Sequence, residues 1–388
     1  MLLVINYVLN ALESNRKVNI RGIYYQNVDT FKKQSNVQAL LKKLTEVLEV
    51  RRAALNVRPS HKGLFLSSAL SIQLNNGNVV MGSDTSASHI PTCEDISQLD
   101  VVGNTFVLLS QSNLSKSQVA FVLVVEKETV FSALREIQFS RSSAHGHNII
   151  LTQLSNSAKG KGYPDIATRD LLNHLANVIP DKYILSYLKD VPFIGLVDSD
   201  PHGLRIFLTY KFGSENMQQE KLQMACPRLK LMGLRNAEFD LLCIPPNQAL
   251  SITKKEKTIC KKMIQRLDLM DRSAFGVKEL KWDRDEIKQM VTYDRKFEIE
   301  ALYSAPTPNG ETVFSGQVLG EYIDSKLTIW LKQQAILDEA GFEDMSSILS
   351  YCEHFENYTS NSATDSTLVD NFLVLSNSQD EDDFILEQ

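Results

Sequence analysis

No apolar run in this chain approaches the roughly twenty residues needed to span a bilayer; the longest, such as Val119–Val125, fall well short. The opening MLLVINYVLN has no basic stretch before it and is interrupted by Asn6 and Asn10. It therefore reads as the apolar face of a first helix and not as a signal peptide. The five cysteines (Cys93, Cys226, Cys243, Cys260, Cys352) include no C-x-x-C pair. That spacing argues against a zinc site or a disulfide framework and fits a reducing compartment. The most telling shortage is of positive charge at one end: from Gln333 to Gln388 there are 13 acidic residues and no Lys or Arg.

What remains is ordinary globular material, with 43% hydrophobic and 23% charged residues in 388, enough for two domains and a tail. The net charge of −6 hides its distribution. Residues 1–332 hold 41 basic and 34 acidic residues, or +7, and within them residues 16–62 hold 11 against 3, or +8. A basic body with a basic N-terminal block suits a polyanion partner, nucleic acid foremost, although a merely solvated basic surface has the same composition.

Residues 1–62 read as helical. Asn19 is placed to cap a short helix, IRGIYYQN, by offering its side-chain oxygen to free backbone N–H groups. VDTFKKQ makes a second, and Val37, Leu40, Leu41, Leu44, Val47 and Leu48 trace a third from Asn36 to Val50. A strand-like ALNVRP, a turn at HKG and a strand-like LFLSSALSI follow. Three helices and a hairpin are the order of a winged helix. A domain boundary is expected near residues 103–118. From Val119 strands and helices alternate: AFVLVVE, KETVFSALREI, HNIILTQ, then a Gly-rich KGKGYPD into IATRDLLNHLANV, then PFIGLVDSD, turned by Pro201-His202-Gly203 into LRIFLTYKFG. The pattern predicts an α/β domain with a mainly parallel sheet covered on both faces. Residues 254–302 read as strongly helical. Residues 340–388 read as largely disordered, with apolar islands at TLVDNFLVL and FILEQ.

The acids fall at strand ends, where such sheets bind ligands. Glu126 ends the first strand and Asp198 and Asp200 the third. Residues i and i+2 of an extended chain point the same way. Three carboxylates meeting there would repel unless a cation lay between them, and an oxygen-only donor set with room for water suits Mg²⁺. Ordinary turn aspartates beside a surface glutamate are the plainer reading. A second candidate is Arg21 with Tyr24 and Tyr25. In a helix Arg21 and Tyr25 share a face at four residues apart, and Tyr24 lies about 100° round. A guanidinium beside a phenol favours the phenolate and holds a phosphate oxygen, which suits a tyrosine nucleophile. Tyr24 is expected to be a half-buried core ring. KGKGYPD lacks the spacing of a nucleotide-binding loop. Lys62, Lys161 and Arg169 are candidate contacts to a nucleic-acid backbone.

Taken in order, RGIYYQNVDTFKKQ, NVRPSHKGL, VVEKETVF, KGKGYPDIATR, VDSDPHG and KFEIEAL resemble the A-type component of topoisomerase VI and its meiotic relatives, over about residues 5 to 335. Composition sets off an acidic tail (336–388); the resemblance implies a winged-helix domain of the catabolite-activator type (1–110) and a Toprim domain with C-terminal helices (111–335). It implies Tyr25 as nucleophile, Arg21 as its partner, and Glu126, Asp198 and Asp200 as ligands of Mg²⁺. It further implies double-stranded DNA as substrate, paired protomers whose active sites are shared in trans, a B-type ATPase-like subunit with meiotic accessory proteins, and a nuclear location. No membrane is expected to be a partner. The rivals are a reversible topoisomerase component of identical chemistry, a phosphohydrolase using Asp198 as nucleophile, and a DNA-binding scaffold without activity. The acidic tail lies outside the shared motifs. It would either compete with DNA for the channel or serve as a solvated tail or docking peptide. A truncation ending at Gln334 that binds DNA no more tightly at low salt would exclude competition.

Overall fold

The computed structural model describes residues 1–50, 52–58, 63–92, 95–101, 119–153, 164–176, 188, 191–214, 224–271, 277–304 and 314–340. The N-terminal part holds α1 (Leu2–Glu13), β1 (Val18–Asn19), α2 (Ile20–Gln26), α3 (Val28–Phe31), α4 (Gln34–Leu48) and β2 (Val57–Arg58). Its core is Val4 and Val8 of α1, Ile23, Phe31, Val37 and Leu41 from the next three helices, and Leu55 and Val57. The helical spacing read from the sequence puts these side chains on inward faces. Asn19 caps α2 as expected, its Oδ1 accepting from the Gly22 N–H at 2.6 Å. A seven-residue helix has little stability of its own. Asn19→Ala is therefore expected to cost about 1 kcal/mol, seen as a lower denaturant midpoint.

The expected wing hairpin is not formed among the described residues. β2 pairs with β1, in parallel, Val18 opposite Val57. LFLSSALSI divides at Ser67-Ser68 into β3 (Gly63–Leu66) and β4 (Leu70–Leu74), which enter different sheets. β4 lies between β5 (Val79–Met81) and β7 (Ile96–Val101), antiparallel to both. β3 joins the large sheet, because Leu64, Phe65 and Leu66 are apolar toward both faces and only a sandwiched position covers them. Gly63 meets Thr168 and Ile90 so closely that a Cβ there would lie 2.2 Å from Thr168 Oγ1. Phe65, Ala69, Leu70, Ile72, Ile90 and Leu99 share a core with the large sheet. Among the described residues, Val57 belongs to the N-terminal core and Phe65 to that of the large sheet; the expected boundary at 103–118 lies outside the described residues.

The remaining elements are β6 (Ser88–His89), β8 (Phe121–Val125), α5 (Glu128–Glu136), α6 (Phe139–Ser142), β9 (Asn148–Gln153), α7 (Ile166–Ala176), β10 (Phe193–Leu196), α8 (Pro201–Phe212), β11 (Leu229–Gly233), α9 (Glu238–Leu241), α10 (Lys254–Asp271), α11 (Val277–Tyr293) and α12 (Ser315–Ala340). Pro201-His202-Gly203 is the first turn of α8 and not a separate turn. α12 runs past the expected boundary at 335.

The six-stranded sheet has the order β11-β10-β8-β9-β3-β6. Its first four strands are parallel; β3 runs antiparallel to β9, and β6 antiparallel to β3. Alternate residues build two cores: Val122, Val124, Ile149 and Leu151 face α7, α8, α10 and α11, whereas Phe121, Leu123, Val125 and Ile150 face α5, α6 and α12. This is the mainly parallel, doubly covered sheet expected from the sequence. No helix among the described residues is long and apolar enough to cross a membrane.

Candidate functional site

β8 and β10 are nearest neighbours, with Val125 opposite Leu196, so the residues that leave them emerge side by side. Glu126 is still tied to β10 through its N–H to the Leu196 carbonyl at 3.1 Å. Its Oε2 accepts from the Asp198 backbone N–H at 3.0 Å. Asp200 caps α8, its Oδ1 accepting from the Gly203 N–H at 2.5 Å. The three acids singled out in the sequence, from segments more than seventy residues apart, therefore collect at the carboxyl edge of the sheet.

Burial sets the electrostatics of these three acids, and it disfavours their charged forms. Burial and then the Asp198 charge push the Glu126 carboxyl up to about 8. Burial pushes Asp198 up to about 7, against the opposing pull of Lys127 and the Ile299 N–H. Burial likewise raises Asp200, offset in part by the Gly203 N–H and His202. Lys127 is the cation at hand: its Nζ lies 3.0 Å from Asp198 Oδ2, 3.1 Å from Glu298 Oε2 and 2.7 Å from Glu300 Oε2. Burial disfavours its charge, but the carboxylates outweigh that and raise its pKa.

A hard divalent cation fits this donor chemistry: three carboxylates supply oxygen donors beside a cradle with no side chain in it. The cradle is Gly203. A Cβ there would lie 2.5 Å from the Asp198 carbonyl oxygen and 2.9 Å from Glu126 Oε2. Among the described residues no group of three or more His, Cys, Asp or Glu side chains is arranged to hold a metal ion; the fit is one of donor type. Gly203→Ala is expected to push Glu126 and Asp198 apart, lowering stability by about 1–3 kcal/mol and weakening Mn²⁺ binding. Thermal melts and a Mn²⁺ titration read the two effects.

The second candidate lies on α2. Arg21 and Tyr25 are both exposed, four residues apart on one face, with Tyr25 at 63% exposure. Tyr24 is part-buried against the N-terminal core, and its ring lies 5.3 Å from that of Tyr25. The half-burial expected of the Tyr24 ring is the one seen.

The expected backbone contacts fare differently. Lys62 and Lys161 lie outside the described residues, as does most of KGKGYPD. Arg169 is only 2% exposed, and its Nη2 donates to the Met224 carbonyl at 3.5 Å. α7 is buried almost all round, so Arg169 is withdrawn as a surface contact. Three groups missed in the sequence are Lys127, Gly203 and the segment Glu298–Glu300. Each sits inside a quoted motif (VVEKETVF, VDSDPHG, KFEIEAL) but has no role visible without the neighbouring strand.

Comparison with known proteins gives two family matches. One is the Toprim domain shared by the A-type component of topoisomerase 6 and Spo11, over residues 121–309. The other is the type IIB DNA topoisomerase family, over residues 1–57. The chain is 30% identical over 312 residues to Meiotic recombination protein rec12 of Schizosaccharomyces pombe, covering 78% of this chain and 73% of that one. It is 26% identical to Meiotic recombination protein SPO11 of Homo sapiens, covering 78% and 66%. It is 29% identical to the A-type component of DNA topoisomerase 6 of Arabidopsis thaliana, covering 75% of this chain and 58% of that protein.

Proposed function

Because this chain belongs to the family of A-type topoisomerase VI components and their meiotic Spo11 relatives, we propose that it makes meiotic DNA double-strand breaks by transesterification, with Tyr25 as nucleophile. The Tyr25 phenolic oxygen forms a bond to a backbone phosphorus while the bond from that phosphorus to the sugar 3′ oxygen breaks. The 3′ oxygen leaves as a hydroxyl and the 5′ phosphate stays on the tyrosine. One phosphoester replaces another, so the chemistry needs no ATP. The observation that supports this reading best is the exposed pair Arg21 and Tyr25 on one face of α2. In this reading the guanidinium binds the phosphoryl group, and partial burial of Tyr24 leaves Tyr25 as the more open tyrosine of α2.

Glu126, Asp198 and Asp200 would hold Mg²⁺, which supplies charge to steady the phosphodiester and its leaving oxygen. Two protomers would act together, the tyrosine of one with the carboxylates of the other, on double-stranded DNA in the nucleus. Meiotic accessory proteins and a B-type ATPase-like subunit belong to the same proposal.

The test is incubation of the full chain, in the assembly in which it acts, with duplex DNA and Mg²⁺, followed by SDS. The expected result is protein linked covalently to 5′ ends, with or without ATP. Free 5′ phosphates at every break would overturn it. The similarity to the Arabidopsis topoisomerase component, level with that to the meiotic proteins, favours a second reading as part of a reversible topoisomerase. Relaxation of supercoiled DNA with a matched B-type partner would support that reading instead.

A further inference from the structure

Lys127 follows Glu126 directly, and its ammonium touches Asp198, Glu298 and Glu300 at once. The segment 298–300 grips the same aspartate a second way, because the Ile299 N–H donates to Asp198 Oδ1 at 2.9 Å. Both Asp198 oxygens are thereby engaged: one by a backbone N–H, the other by an ammonium. Glu300 is itself anchored, its Oε1 accepting from Thr129 Oγ1 at 2.9 Å. The Glu298 side chain is 68% exposed, whereas that of Glu300 is 31% exposed, so Glu300 is the less screened of the two anchors.

An ammonium and a divalent cation cannot crowd one carboxylate oxygen without mutual repulsion. Resting on the divalent-cation reading above, we infer that Lys127 is a positioning residue that acts as a latch. It engages Asp198 Oδ2, and Glu300 is the anchor that retains its ammonium when a divalent cation takes that oxygen. A lysine that merely held the Asp198 rotamer would act in the opposite direction, since its removal would weaken divalent binding.

The sign of the effect is measurable without DNA or cleavage, by Mn²⁺ titration of the full chain followed by electron paramagnetic resonance of free Mn²⁺. Lys127→Met is expected to bind Mn²⁺ roughly threefold more tightly than wild type or better, and Glu300→Gln more weakly by a similar factor. The double variant is expected to match Lys127→Met, because Glu300 matters to the latch only while the ammonium is there. Melting curves establish that each variant is folded, and the Glu300→Gln arm decides alone if Lys127→Met does not fold. Mn²⁺ binding by Lys127→Met that is unchanged or weaker overturns the latch while leaving the cation reading intact. A wild-type chain that binds no Mn²⁺ overturns both.

Discussion

Tyr25→Phe is expected to abolish the SDS-resistant protein–DNA link, by on the order of 10³-fold or more, while duplex affinity stays within about twofold. The substitution removes a single oxygen from a ring that is 63% exposed. No core contact is lost, and stability should move by no more than about 0.5 kcal/mol. Tyr24→Phe is the matched control. Its ring packs against the N-terminal core, so the link should persist. Arg21→Ala should fall between the two, by about 10²-fold, because the tyrosine remains but the charge that steadies the phosphoryl group is gone. A gel of SDS-denatured complexes reads all three. A link that survives Tyr25→Phe would remove Tyr25 from the nucleophile's place.

Glu126→Gln should separate activity from stability, and in opposite directions. The Glu126 carboxyl is pushed up to about 8 from an ordinary 4.5, first by burial and then by Asp198. A raised acid favours its protonated form in the folded chain. Wild type therefore loses stability as pH rises from about 4.5 to about 8, and Gln, which cannot ionise, does not. Without divalent cation the variant should be more stable at pH 8 by on the order of 1–3 kcal/mol, and the two melting curves should converge near pH 4.5. The Gln oxygen can still accept the Asp198 N–H, so the local geometry is kept. Added Mg²⁺ should stabilise wild type more than the variant, and formation of the link should drop about 10²- to 10³-fold in the variant. A variant less stable than wild type at pH 8 without metal would contradict the burial of an ionisable Glu126 at this edge of the sheet.

The parts of the molecule legible in the sequence are those whose signal is local. Asn19 before IRGIYYQN announces its cap, because capping involves groups three residues apart. Continuous apolar strands such as FVLVV and NIILTQ announce a sheet covered on both faces, since no exposed strand could keep them from water. The carboxylates were expected together because residues i and i+2 of an extended chain point the same way.

What failed depended on partners distant in the chain. LFLSSALSI has the composition of a hairpin arm, but Leu64, Phe65 and Leu66 find better cover beside Leu151 of β9 than in a wing. Arg169 is basic and near a helix start, which suggests a surface; only the packing of α7 shows that it is buried. Lys127 looks like one more solvated lysine until the chain returns some 170 residues later with Glu298 and Glu300. Gly203 looks like a turn residue until β8 brings Glu126 to where its Cβ would be.

The central claim is that a phenolic oxygen of α2 becomes the new ester partner of a DNA 5′ phosphate. The most direct measurement is mass-spectrometric mapping of the peptide that retains a nucleotide after cleavage in Mg²⁺, nuclease digestion and proteolysis. A nucleotide joined through its 5′ phosphate to Tyr25 is the expected result. A nucleotide on Tyr24, on Asp198 or on any other side chain, or one joined through its 3′ phosphate, would contradict it.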